Sequence, residues 1–491
     1  MVVDIEAAAC AARVQSRQVP APVFLFALAI SAAGQAEALL EAGRAHERAR
    51  RFDEAAASYQ AALERAPGLV EARDRLGFVR GQQGRTAEAI REFEAAVRLK
   101  PDYFDAQYHL GATQWWVGNV EEAFSALKTA VRLAPDHAEA RYYLALTLEK
   151  KGDAVGAVRH LRKALAVNPE LAPALLHLGV ALKELGDPRG AVDALRRAVA
   201  LQPDVTDAQN AFGLALMDAG SGEEAVSTFR ALLAAHPGDT SARHNLGSAL
   251  LHQGDLDAAI AVYRELVRAA PENAEAFYNL AMALKQKDDF AGAETALRRA
   301  IAMDPALHDA HYALGVVLWQ TGRADEAVAA FKTAIARKPD LADAHYMLGT
   351  ILRQRGRLDD ALTAFREAIR LRPEAAEGHL SLGQVLQQKG DRAGAATAFA
   401  EAQRLQRKKG DAQAGAFAAS GASDKLRRGD VAGAIDGFRE AVRLAPQNAD
   451  AHLQLARALV RAGRPAEARA AFAEARRLAP WLDIPGPEPR S

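Results

Sequence analysis

Residues Ala342–Ala375, ADAHYMLGTILRQRGRLDDALTAFREAIRLRPEA, hold two amphipathic helix patterns separated by a break. In the first, Ala344, Met347, Leu348, Ile351 and Leu352 recur three and four residues apart, which gathers them on one helical face. Gly356 interrupts the pattern, and Asp359 and Asp360 come next, where the positive end of a helix dipole favours acid. The second helix carries Leu358, Ala361, Leu362, Phe365 and Ile369. Pro373 stops it, because proline has no N–H to continue the ladder. A helical hairpin this short buries its apolar face only against neighbours of its own kind.

Such neighbours lie on both sides. Prolines stand at 67, 101, 135, 169, 203, 237, 271, 305, 339 and 373, a constant step of 34, and Pro446 and Pro480 keep that step from each other. Twelve residues before each is an alanine, from Ala55 to Ala361, and the same frame gives Ala395, Ala434 and Ala468. A second small place runs Gly43, Gly77, Gly111 and Ala145 through to Ala456, and a third, aromatic or leucine, runs from Tyr59 to Phe472. The trio is steric in origin. Two helices of a hairpin approach most closely where neither carries a large side chain, and the large residue fills the space one turn away. The 491 residues, enough for several globular domains by length alone, are consumed by 13 stacked copies.

Lys plus Arg equals Asp plus Glu at 62 each, so no net field draws the chain to nucleic acid or to an anionic membrane. Cys10 is the single cysteine, which excludes an internal disulfide framework and a cysteine-rich zinc site. Beyond residue 40 no apolar run reaches the ~20 residues of a membrane span. Residues 22–33, PVFLFALAISAA, are uncharged, with Arg13 and Arg17 upstream and Ser31, Ala33, Gly34 and Ala36 at the exit. That pattern predicts a secretory signal in the leader 1–35 and an exported, in a bacterium periplasmic, setting. Asp4 and Glu6 in a long leader, and Cys10 ahead of the apolar run, leave open a leader or a short capping helix in a cytoplasmic protein.

The frame breaks once, at Arg404–Gly410 (RLQRKKG), where Arg407 stands in place of a proline. About five extra residues enter, placed at 410–414, and Gly415 and Gly421 lower the helix propensity of the next first helix. The expectation is an insertion tolerated in a surface turn. The competing reading is a hinge between eleven repeats (36–409) and a two-repeat tail (415–482). After Pro480, the prolines at 485, 487 and 489 bar another helix from 483–491. The last repeat is then either polar enough on its outside, through Arg469, Glu474, Arg476 and Arg477, or it docks on something, with end-to-end self-association as one outcome.

These repeating residues resemble the tetratricopeptide repeat family, over about residues 36–482. Tyr278-Asn279-Leu280-Ala281 and His345-Tyr346-Met347-Leu348-Gly349 sit close to its consensus. The resemblance implies an all-α protein, a right-handed α-solenoid superhelix of about 13 helix-turn-helix repeats. It also implies that the first helix of each pair lines a concave groove, and that such chains act as scaffolds holding an extended peptide or a partner helix.

No catalytic constellation is legible: there is no phosphate loop, no GxGxxG after a strand, no GxSxG elbow and no HExxH. Acidic pairs such as Asp53-Glu54 and Glu223-Glu224 open second helices, where the dipole explains them. His311, His345, His379 and His452 share one place in their repeats. Metal ligation would need ligands within about 2.1 Å of one ion, whereas packed helices lie about 8–10 Å apart, so the histidines read as packing. No enzyme activity, cofactor or metal is expected.

Tyr108, Tyr142, Tyr278, Tyr312 and Tyr346 share the place that, in the family, faces the groove, and Trp115, Trp116 and Trp319 lie two to three turns further along first helices. Tyr and Trp are enriched at binding hot spots, but tyrosine at this place also serves inter-repeat packing, and both roles stay open. Adjacent tryptophans cannot both face inward on one helix, so one of Trp115 and Trp116 is expected to be exposed for binding. The Lys/Asn/Arg clamp by which some relatives grip a C-terminal carboxylate is absent. Its asparagine place reads Ala112, Leu146, Val180, Leu214, Ser248 and Met282. Asn245 and Asn279 resemble the asparagine ladder of arrays attached to sugar-transferring enzymes, though no transferase domain comes after them. The expected function is therefore a non-enzymatic scaffold for a protein or peptide partner. The alternative is a substrate-recruiting subunit of a separate glycosyltransferase or of envelope and polysaccharide-export machinery.

Overall fold

The computed structural model describes residues 21–481, with side chains from residue 33. Cys10 and the proline-rich 483–491 lie outside the described residues, as do the side chains of nearly all of the apolar run 22–33. Among the described residues there are 25 helices, numbered α1 to α25 in chain order, and no strand. The helices pair as the 34-residue period requires, Ala342–Gln354 (α19) with Leu358–Leu371 (α20) and so on along the chain. Two compact units result. Met1–Leu185 holds α1 (Ala21–Arg48) to α9 (Ala172–Glu184), and Gly186–Ser491 holds α10 (Pro188–Leu201) to α25 (Pro465–Leu478).

Inside each unit the steric trio does what its spacing predicts. Ala55, Ala89, Ala123, Ala225 and Ala327 are completely buried. A Cβ added at Gly43 would lie 2.4 Å from the Tyr59 ring, and one at Gly213 would lie 2.4 Å from Phe229. Each hairpin turn closes through a residue with positive φ. Glycine holds that place in eleven repeats, Gly356 (φ 73°) among them, while Arg50 (φ 56°) and Asp288 (φ 62°) hold it in the other two. First helices of neighbouring repeats touch one another directly, and second helices pack between the first helices of their own and the next repeat. Within a unit the first helices therefore form the inner side.

The shared histidine place has a structural role. His311, His345, His379 and His452 each bring Nε2 to within 3.2, 3.0, 2.9 and 3.0 Å of the carbonyl oxygen of the proline six residues upstream. Gln107 donates to Pro101 (2.8 Å) and Arg73 to Pro67 (3.2 Å) from the same place. A donor here ties the first helix to the turn that precedes it. Any residue with a long N–H arm serves.

The expected turn at 404–410 does not form. Arg392–Arg427 is one helix, α22, of 36 residues, so repeat 11's second helix and repeat 12's first helix are continuous. The reason is local: Leu405, Gln406, Arg407, Lys408 and Lys409 are good helix formers, and with no proline at 407 the N–H ladder runs on. The apolar cores respect the break. One runs from Ile260 to Ala395 and another from Ala422 to Ala471, while residues 406–414 between them are all exposed. On α25, Arg469, Arg476 and Arg477 are exposed.

Candidate aromatic binding face

The first helices α5 (Phe104–Trp116) and α7 (Ala138–Lys150) bring four of the predicted residues together. Tyr108 and Tyr142 occupy the same place one repeat apart, with Tyr143 packed edge-on against both, at ring separations of 6.2 and 5.4 Å. Tyr143 also meets Trp115 edge-on (5.8 Å), and Trp115 meets Trp116 (5.4 Å). Phe104 stacks on Tyr108 at 6.0 Å, and His137 tilts against both rings. At the other side His177, on α9, contacts Tyr142 at 5.8 Å. The rings form one continuous path across three first helices. It ends at Trp116, whose side is open: the residue is 72% exposed, while Trp115 is half-buried.

The chemistry of this face is that of a contact surface. Burial pushes the Tyr108 and Tyr142 hydroxyls up to about 12, so both stay neutral phenols that donate hydrogen bonds and offer apolar rings. The Lys150 ammonium lies 4.4 Å from the centroid of the Trp115 ring, a cation–π contact on the rim. Two polar atoms at equivalent places on adjacent helices, Trp115 Nε1 and Glu149 Oε1, are buried without a hydrogen-bond partner, although Glu149 Oε2 meets His177 Nδ1 at 3.1 Å. One is a donor and the other an acceptor, both within the aromatic path.

In the second unit the predicted residues are more dispersed. Tyr278, Tyr312, Trp319 and Tyr346 are half-buried against the core, with Tyr312 and Tyr346 tilted onto Phe331 and Phe365 of their own hairpins. Tyr312 and Tyr346 do share a cavity of about 230 Å³ with Met347 and Gly378, bordered by the bidentate Arg372–Asp343 pair (2.9 and 2.8 Å). Asn245 and Asn279 belong to a longer polar run than their two places in the sequence suggest. Asn245 donates to Asn210 (3.1 Å), Asn210 to Asp239 (3.2 Å), and the Asn279 amide meets His244 Nδ1 at 2.9 Å. Among the described residues no three His, Cys, Asp or Glu side chains are grouped to hold a metal.

Sequence reasoning missed Tyr143, Phe104, His137 and Asn210. A signal was present. Asp74–His109, Asn210–Asn245, His244–Asn279 and Tyr346–Ser381 are all joined across 35 residues, one more than the repeat. Scanning one place at a step of 34 overlooks these neighbours.

Repeat-family models match segments along the chain. Family models described as tetratricopeptide repeat match residues 148–215 and 425–480, and 6–70 and 113–174, and a TPR repeat model matches 81–116. The model of the cilia and flagella-associated protein 70 C-terminal domain matches 205–420. No curated protein matches the chain. Among solved structures, yeast Tom70 is 17% identical, with 90% of this chain and 96% of that one covered at a TM-score of 0.40. The Cut9-Hcn1 hetero-tetramer of APC/C is 17% identical over 91% and 94%, at 0.35. MamA from Desulfovibrio magneticus RS-1 is 26% identical over 34% of this chain and 95% of that one, at 0.32. With its period, its small-and-large trio and its paired helices matched by these repeat models along both units, the chain belongs to the tetratricopeptide repeat family.

Proposed function

We propose that this repeat scaffold is non-enzymatic and holds an extended segment of a partner protein along the first-helix face, anchored at Tyr108, Trp115, Trp116 and Tyr142. The observation that carries the reading is the unbroken ring-to-ring path from Phe104 to Trp116, ending in a tryptophan that is 72% exposed. An exposed indole costs hydration free energy unless a partner covers it. Tyr312 and Tyr346 supply a second seat through the cavity they share. The apolar run of the leader adds an exported setting to this reading.

A pull-down from the native compartment tests it, with the wild-type chain beside a Trp115→Ala, Trp116→Ala, Tyr142→Ala variant of unchanged helicity. The expected result is a partner captured by the wild type and lost from the variant. Equal capture by both contradicts the anchor assignment. For the setting, N-terminal sequencing of the mature chain is expected to begin near residue 34; a start at Met1 contradicts export.

A further inference from the structure

The interruption of the stack leaves a notch beside α22, where it runs past the C-terminal end of α23 (Val431–Leu444). The cavity is about 390 Å³ and is lined by Ala400, Gln403, Arg404, Arg407, Lys408, Asp411 and Leu444, so its cations outnumber its one carboxylate. Arg404 is already paired with Glu401 (2.6 Å), but among the described residues Arg407 and Lys408 have no carboxylate partner, nor has neighbouring Lys409. Nothing in the packing asks for these cations, because residues 406–414 are exposed all round the helix.

We propose that this notch docks an acidic segment of a partner protein, at a surface separate from the aromatic face. The dimensions choose among anions. Arg404 to Lys408 spans about 6 Å of helix axis, which matches two or three carboxylates on one turn of a partner. Nucleic acid binding of useful strength takes on the order of six to ten phosphate contacts, more than this cluster supplies. A membrane surface is flat, whereas these cations line a recess walled by Ala400 and Leu444. The acidic segment gains charge-assisted bonds from Arg407 and Lys408 and apolar contact from Leu444.

The test is fluorescence anisotropy of the full chain with a labelled helical peptide carrying glutamates four residues apart, and with its glutamine counterpart. We expect the glutamate peptide to bind at about 50 mM salt and to weaken at about 150 mM, as exposed ion pairs do. An R407E/K408E variant is expected to lose at least about tenfold in affinity, and neutral R407Q/K408Q to fall between the two. Charge-matched R230E/R299E, on second helices three or more repeats away, and the groove variant W116A/Y142A, are expected to bind as wild type. Both notch residues are exposed, so circular dichroism should show unchanged helicity. Equal binding of the glutamine peptide, or undiminished affinity in R407E/K408E, would overturn the proposal. So would stronger capture by a short DNA duplex or by phosphatidylserine vesicles that the same substitutions abolish.

Discussion

Gly213 shows how little room the trio leaves. Its place faces the fully buried Phe229, and a Cβ would come within 2.4 Å of the ring. Alanine is the better helix former by about 1 kcal/mol, but a ring that cannot swing aside makes overpacking worth about 1–3 kcal/mol, and the second effect wins. Chemical denaturation of Gly213→Ala should therefore show a net loss. Adding Phe229→Leu should recover part of it, because Ala145 with Leu161 and Ala281 with Leu297 are the same two places filled that way. A second residue-scale prediction concerns His160. Burial, then the neighbouring Arg141, Lys163 and Arg159, push its imidazole down from 6.5 to about 4. A depressed pKa means that the unfolded chain takes the proton first, so this stabilisation is complete above pH ~6.5 and drains away as pH falls toward 4. The melting temperature should fall over that window, and His160→Gln should flatten the fall. The small-and-large places were legible because sterics repeat with the backbone. The bonds of His311 or Asn210 were not, since they depend on which side chain reaches six residues back or 35 residues across.

At the scale of elements, hairpin turns and helix ends derive from a few backbone requirements. Eleven turns use glycine at positive φ and two do not, so Arg50→Gly should relieve strain that an L-residue feels there. The gain, after the extra entropy glycine gives the unfolded chain, is about 0.5–1 kcal/mol, read as a rise in the denaturation midpoint. The long helix α22 gives the opposite lesson. Gly410 stands in the middle of it, fully surrounded by solvent, and Gly410→Ala should add about 0.5–1 kcal/mol. Were residues 404–410 a turn, the same substitution would do nothing or would harm. Helix existence and pairing were readable from the 34-residue step. The fate of the break was not, because a missing proline permits both a longer loop and a longer helix. Local propensity from Leu405 to Lys409 decided between them.

At the scale of the molecule, stacking converts one side chain per repeat into a continuous surface, and this is where the aromatic path acquires meaning. Tyr108 and Tyr142 were visible as a repeating place. Tyr143 and Trp115 became part of the same surface only when α5 and α7 packed side by side. The notch on α22 is likewise invisible to periodicity, since it exists where the period fails. The two surfaces differ in chemistry, one suited to an apolar extended stretch and the other to an acidic one. The most direct measurement is photo-crosslinking in the native compartment from a reactive residue placed at Trp116, compared with one at Arg132 on the second helix Val120–Leu133. Adducts to the same partner from position 116, and none from position 132, are the predicted result. Adducts that form only from position 132 would contradict it.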